Sequence, residues 1–542
     1  MTDFIYCGND VTQRRAEIVE FVKSIPELHD PTPVEFMTRE ERVNNVARKA
    51  AAMTNYMDQF DNPDDGAYFH RLIMRHDMHP LSLHQVMFLP TIKGQAEANQ
   101  LNRWLPLAAA RGIIGTYAQT ELGHGTNLKK LETTATYDAK TEEFILHSPT
   151  ITSAKSVEQA AARKLKATPL LLNVEKDGTF IAPKHSKLSY GTMIFVRSVM
   201  IKDQATFLAE AVCIAIRYSA IRRQGEIESE AGEVQILDYQ TQQYRLFPQL
   251  ARAFAFMFAG YKIRDLYVKV SKQLTEGKVD LLPEIHALSS GLKAVITWET
   301  AQGIEQCRLA CGGHGYSLAS ALPDIYTFAV AGCTYEGENI VLLLQVARFL
   351  MKAAKKVRVG STRLVTVCEY LAKPVSAHCR FNSCSNYSNS DILHDFENIA
   401  RKQVFRAYDD LKRHQKESTL EEGWNRASVE LCKASRMHIR LYLVRVFLEK
   451  VATATDASIR SPLTDLAKLY VFDLITTCQG DFLKDGFMSS VQSDEIHQGI
   501  YCCLERLRPN AVSLVDSWDF DDLELHSVLG RRDGNVYPAL FE

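Results

Sequence analysis

The sequence has no excess of charge. Its 542 residues carry 63 Lys and Arg against 65 Asp and Glu, a formal net charge of −2. That balance does not draw a chain to nucleic acid or to an acidic membrane surface. The 12 cysteines form no Cys-x-x-Cys pair: Cys307 and Cys311 are four apart, and Cys502 and Cys503 are adjacent. With no disulfide framework, they read as reduced intracellular thiols. No apolar stretch is long enough to span a bilayer. The most apolar one, IVLLLQVARFLM, is interrupted by Gln345 and Arg348. The first residues, MTDFIYCGNDVTQRR, carry early acids and no apolar core, so a secretory signal is not expected there. Walker motifs, a strand-borne GxGxxG and short-period repeats are missing too.

Helical patterns dominate what is there. A length of 542 suggests three or four domain-sized units, or fewer large ones. Residues 12–112 read as helices punctuated by Pro26, Pro31, Pro33, Pro80 and Pro90. Thr38 followed by Glu41 predicts a capping box at the head of TREERVNNVARKAAAMTNYM. From about residue 113 the character changes to the Gly- and Thr-rich GIIGTYAQTELGHGT. Thr134, Thr136, Phe144 and Leu146 then flank a turn at Asp138-Ala139-Lys140, which predicts a β-hairpin. KSVEQAAARKLKATPLLL reads as a short helix or an irregular crossover.

From Lys187 four long helices are expected. The first is amphipathic, the second is broken or kinked near Pro248, the third is closed by Gly312-Gly313, and the fourth is NIVLLLQVARFLMKAAKKV. Together they suggest an antiparallel bundle. The polar stretch KPVSAHCRFNSCSNYSNSD reads as a linker or surface loop before a second helical unit. The expected organisation is an N-terminal helical domain (1–112), a reduced β-domain (113–186), a four-helix bundle (187–360), a linker (361–390) and a second C-terminal helical domain (391–542).

Four short stretches could carry chemistry, and each has a structural alternative. In Gly115 to Thr126, glycines permit close backbone approach to a ligand and Thr120 and Thr126 offer donors; a β-turn region accounts for the same residues. Cys307, Cys311 and His314 have no second cluster to complete a metal site, so no metal is assigned. The glycines around them end a helix, or present N–H groups to a diphosphate. Arg222 and Arg223 either complement a helix C-terminus or grip a phosphate. In CTYEGEN, Glu336 and Glu338 either start a helix capped by Asn339, or Glu336 is a desolvated general base.

In order along the chain, TYAQTELGHGT, RYSAIRRQ, ILDYQTQQYRLFP, CRLACGGHGY, CTYEGEN and SVLGRRDGNVY resemble the peroxisomal acyl-CoA oxidases of the acyl-CoA dehydrogenase superfamily. The resemblance runs from near the N-terminus to the last residue, with one interruption. It implies a mainly α fold with a helical N-terminal domain, a β-domain, a four-helix bundle and a second helical domain. It implies FAD, a homodimer, and desaturation of an acyl-CoA to a trans-2-enoyl-CoA with O₂ reduced to H₂O₂. Glu336 matches the family's base and Thr120 its flavin-binding threonine. Arg222, Gly312, Gly313 and Gly315 match residues that meet the FAD phosphates from the partner subunit, and Glu338 falls among cofactor contacts.

Two departures stand out. The strand ending SPTITSAK continues, in the family, into a Trp-Trp-Pro-Gly-Gly-Leu-Gly segment and further strands. Here Lys155 leads instead into SVEQAAARKLKATPLLL, and the family pattern resumes near LLNVEKDGTFIAPKHSKLSYGTM. Most of the β-domain is therefore expected to be missing, which raises the alternative of a catalytically impaired form, or a splice form, that pairs with a full-length relative. The chain also ends at PALFE rather than in a Ser-Lys-Leu-type address. A peroxisomal location follows from the resemblance, with the cytosol as the alternative.

Overall fold

The computed structural model describes residues 1–155, 177, 179, 190–276, 278–361 and 363–541. The crossover expected after Lys155 and the return of the family pattern near residue 172 lie outside the described residues. The chain divides into two units: residues 38–55 with 77–196, and residues 1–37, 56–76 and 197–542.

The smaller unit opens with helix α1 (Arg39–Met53). Its capping box forms as expected: Thr38 Oγ1 accepts from the Glu41 N–H at 3.3 Å, and Glu41 Oε2 accepts from the Thr38 N–H at 2.8 Å. The hairpin forms too. β1 (Thr134–Asp138) pairs antiparallel with β2 (Glu143–His147), Thr134 opposite His147 and Asp138 opposite Glu143. Asp138 Oδ1 accepts from the Lys140 N–H at 2.9 Å, an Asx-type turn at the expected place. These are the only strands among the described residues.

The long helices expected are α2 (Tyr190–Ile221, of the larger unit from Arg197), α3 (Gln240–Thr275), α4 (Leu282–Ala310) and α6 (Asn339–Arg358); the short α5 (Gly312–Tyr316) follows α4. Helix α4 packs on α3 and α6. Helix α2 differs from the amphipathic expectation: every residue from Gln204 to Ser219 is buried. It is held on more than one side. Gly260 of α3 meets it so closely that a Cβ there would sit 3.1 Å from the Lys202 Cα. On the side of α4, Thr300 Oγ1 donates to the Gln204 carbonyl at 3.4 Å.

Pro248 does not break its helix. Helix α3 runs through it, and Tyr244, whose carbonyl loses its partner, is on the solvent side at 42% exposure.

Beyond the bundle lie α7 (Asn389–Glu417), α8 (Ser428–Ala452), α9 (Ala457–Thr477) and α10 (Ser490–Leu507). Helix α8 packs on α3, α6 and α7, and α9 on α3 and α10, so these helices share one core with the bundle. The stretch read as a linker is pinned down rather than loose. Phe381 and Tyr387 are buried. The fully buried Asp395 accepts from Cys379 Sγ at 2.8 Å, Tyr387 OH at 2.9 Å and the Arg380 N–H at 3.0 Å. Its serines and asparagines satisfy local turns while two aromatic rings anchor it, a pattern that composition alone hides. Among the described residues no helix is long and apolar enough to cross a membrane.

Candidate active site

Helix α6 begins where a carboxylate can cap it. Glu338, not Asn339, is the N-cap: its Oε2 accepts from the Ile340 N–H at 2.9 Å and the Val341 N–H at 3.1 Å. Two of the helix's orphan donors are thereby satisfied, and the negative charge lies at the positive end of the dipole. Asn339 points elsewhere. Its Nδ2 donates to Thr297 Oγ1 at 3.0 Å in a buried pair with α4.

The turn before the cap is strained. Glu336 has φ +58° and Gly337 has φ +106°. A side chain at 337 would also collide with α6, since a Cβ there would sit 2.8 Å from Leu342 Cδ2. The turn presents Glu336 half-buried, with Oε2 sealed from solvent and without a hydrogen-bond partner. Burial raises its carboxyl above the ordinary range, while the charges of Arg197 and Lys293 pull the other way. Both cations are themselves buried. Arg197 Nε donates to the Glu336 carbonyl at 3.0 Å, and Lys293 Nζ to the Gly337 carbonyl at 2.6 Å. Sequence reading overlooked both. The usable signal was a single charge inside each of two apolar stretches, IFVRSVM and GLKAVITW, since such residues are seldom buried unless bonded.

A second feature of this unit is a cavity of ≈ 480 Å³ lined by Arg222, Gln224, Arg245, Gly312, Gly313 and His314, among others. The structure thus brings together three of the residues singled out for phosphate contact. Gly312 follows the C-cap of α4 with φ +60°, and a Cβ on it or on Gly313 would meet no neighbour within 4 Å. Arg222 is steered by Tyr537 OH at 3.3 Å and Gln224 Oε1 at 2.9 Å. Gly315 has a different task. A Cβ there would lie 2.1 Å from the Arg308 carbonyl oxygen, so it lets α5 fold back against α4. Cys307 and Cys311 are buried beside this turn, and burial pushes the Cys311 thiol up to about 12.

Thr120 lies in the smaller unit, exposed, on a loop held at both ends. The Gly115 N–H donates to His84 Nδ1 at 3.0 Å. Glu121, buried next to Thr120, accepts from the Glu132 and Thr133 N–H groups, each at 2.9 Å, and from Lys155 Nζ at 3.2 Å. Burial opposes its charge, but these donors win and hold the carboxyl well below the usual range.

Comparison with known proteins agrees with this architecture. Three family models match: acyl-coenzyme A oxidase N-terminal at residues 1–114, the acyl-CoA oxidase C-alpha1 domain at 190–351, and acyl-CoA oxidase at 388–542. The acyl-coenzyme A oxidase acox-1.1 of Caenorhabditis elegans is 41% identical over 609 residues, covering 99% of this chain and 90% of the relative. Rat peroxisomal acyl-coenzyme A oxidase 1 is 37% identical, covering 98% of this chain and 92% of the relative. Among solved structures, Caenorhabditis elegans acyl-CoA oxidase-1 complexed with FAD and ATP superposes with a TM-score of 0.93 at 40% identity, covering 100% of this chain and 92% of that one. Acyl-CoA oxidase-2 of the same organism, bound with FAD, ascaroside-CoA and ATP, gives 0.92 at 39%, covering 100% and 91%.

The fold is mainly α and acyl-CoA dehydrogenase-like, the architecture of an oxidoreductase built on a helical bundle. Within that class, the chain belongs to the acyl-CoA oxidase family. A match running over 609 residues on a chain of 542 also leaves at least 67 aligned positions with no residue here.

Proposed function

We propose that the chain is an FAD-dependent acyl-CoA oxidase that converts an acyl-CoA to the trans-2-enoyl-CoA, with O₂ reduced to H₂O₂, in peroxisomal fatty-acid β-oxidation. The observation that carries the reading is Glu336: a carboxylate on a strained turn, one oxygen sealed from solvent and unpartnered. A thioester α-proton is weakly acidic, and a base matched to it needs a raised pKa and a free lone pair. Glu336 has both. It takes the α-proton while the β-hydride leaves the substrate on the other side.

FAD, when bound, supplies the hydride acceptor and delivers the electron pair to O₂. Arg222 with the Gly312 and Gly313 backbone would hold its phosphates. The cavity they line has the arginines and the open glycine backbone that an anionic group requires. By resemblance Thr120 binds the flavin, Gly315 and Glu338 belong to the cofactor side, and the assembly is a homodimer in which these phosphate contacts come from the partner. Gly315 acts indirectly, by shaping the turn.

The test is Glu336→Gln. Peroxide release with acyl-CoA should fall by three or more orders of magnitude while FAD stays bound. Full activity in that variant defeats the assignment.

A second reading is favoured by the 67 or more positions that the relative has and this chain lacks. On that reading the chain is a catalytically impaired partner, or splice form, that pairs with a full-length oxidase. A visible spectrum separates the two. Stoichiometric flavin in the isolated protein supports the oxidase. A colourless, folded protein that pairs with a full-length relative supports the impaired partner.

A further inference from the structure

We propose that Lys293, with Arg197, positions the Glu336 carboxylate by gripping two consecutive backbone carbonyls, that of Glu336 itself and that of Gly337, while leaving the carboxylate oxygen Oε2 free. The inference rests on the reading of Glu336 as the base.

Lys293 is 0% exposed and Arg197 is 3% exposed. A buried cation is costly unless its donors are used. Here they are used on consecutive carbonyls of one turn: Arg197 Nε on Glu336 at 3.0 Å, Lys293 Nζ on Gly337 at 2.6 Å. Each cation is itself anchored. Arg197 Nη1 donates to Ser290 Oγ at 3.2 Å, and Lys293 Nζ to Asn339 Oδ1 at 3.0 Å. Arg197 is on α2 and Lys293 on α4, so two helices hold the turn. Two successive residues at positive φ persist only where their surroundings over-determine them.

The choice of acceptor is the chemical point. A cation bonded directly to the carboxylate would occupy a lone pair and depress its basicity. Bonded to the carbonyls, the cations leave Oε2 without a partner, yet act on its charge. The field of the two cations offsets part of the cost that burial puts on the carboxylate's charge, and the open oxygen leaves it able to take a proton. The titratable groups acting on Lys293 are Cys333, Arg197, Glu338 and Glu336; His286 senses Arg197. Glu336 and Glu338 are the only carboxylates in this set.

The experiment follows the Glu336 carboxyl by difference infrared spectroscopy on protein labelled with ¹³C-glutamate, parent minus Glu336→Gln, across pH and without turnover. In Lys293→Met the midpoint should rise by about one pH unit. The same rise is expected in Arg197→Gln, and Arg197→Lys should restore most of it. The acid limb of the kcat profile should move by the same amount, with KM for acyl-CoA changed less than about twofold.

An unmoved midpoint in a folded variant overturns the proposal. Should Lys293→Met fail to fold, Arg197→Gln asks the same question with Lys293 in place. The two ideas fail separately. If Glu336→Gln stays active, the base assignment falls while the infrared midpoint still tests the grip. If Glu336→Gln is inactive and the midpoint is fixed, the grip falls and the base stands.

Discussion

Gly337 is where backbone and packing demands meet, so Gly337→Ala can be worked through in numbers. The backbone there has φ +106°. An L-residue held in such a region costs about 1–3 kcal/mol. The added methyl would also lie 2.8 Å from Leu342 Cδ2 and 3.1 Å from Leu342 Cγ, inside normal contact. Overpacking of that kind costs a further ~1–3 kcal/mol. The combined penalty, about 2–6 kcal/mol, falls on the turn and the first turn of α6.

The amides that report it are those of Ile340, Val341 and Leu342, all bonded back to Glu338. Hydrogen exchange at these amides should accelerate by roughly 100-fold for a 3 kcal/mol loss of local stability. A cycle with Leu342→Ala separates the two causes. Removing the leucine side chain relieves the clash and leaves the dihedral strain, so the coupling energy should be ~1–3 kcal/mol. Exchange within threefold of the parent, and no coupling to Leu342, would refute the account of the turn.

Other outcomes are expected elsewhere. Glu524 is buried between Arg71 and Arg15, with Tyr68 OH bonded to it at 3.1 Å, so Glu524→Gln should cost of order 3 kcal/mol, visible as a lower apparent Tm. Arg222→Met should weaken FAD retention by roughly tenfold or more, read by flavin release on dilution, because a charge-assisted contact is worth about 1.5–3 kcal/mol. Glu338→Ala should lower stability by about 1 kcal/mol through loss of the α6 cap, measured by denaturant midpoint. Glu338→Asn should recover most of that loss, and FAD affinity would fall in both only if the residue also contacts the cofactor.

Much of the architecture was legible because local signals were strong. The Thr38–Glu41 box and the Asp138–Lys140 turn each need only a few neighbouring residues, and both formed where expected. The burial of α2 was not legible. Polar and charged residues of that helix, such as Gln204, Glu210 and Arg217, are buried with partners far away in sequence: Ala329, His76 and Asp516. Pro248 leaves its helix unbroken because its cost depends on which side of the helix faces water, which local sequence does not state. The segment between α6 and α7 is the loop its composition suggested, and only its anchoring was not legible. That anchoring comes from Asp395, a residue beyond it.

The residues of CTYEGEN left open whether both acids start a helix capped by Asn339 or Glu336 is a desolvated base, since the residue types suit both. Hydrogen bonding divides them. Glu338 spends one oxygen on two backbone donors at the surface, where an acceptor of that kind is committed and solvated. Glu336 is one step further from the helix, on the strained side of the glycine, and the donors nearby are drawn to its backbone carbonyl rather than to its sealed side-chain oxygen. The glycine between them makes this division possible. With φ +106° it turns the chain so that one acid caps α6 and the other faces the buried cations. A residue strained at that angle would disturb the turn that separates Glu336 from the cap of α6.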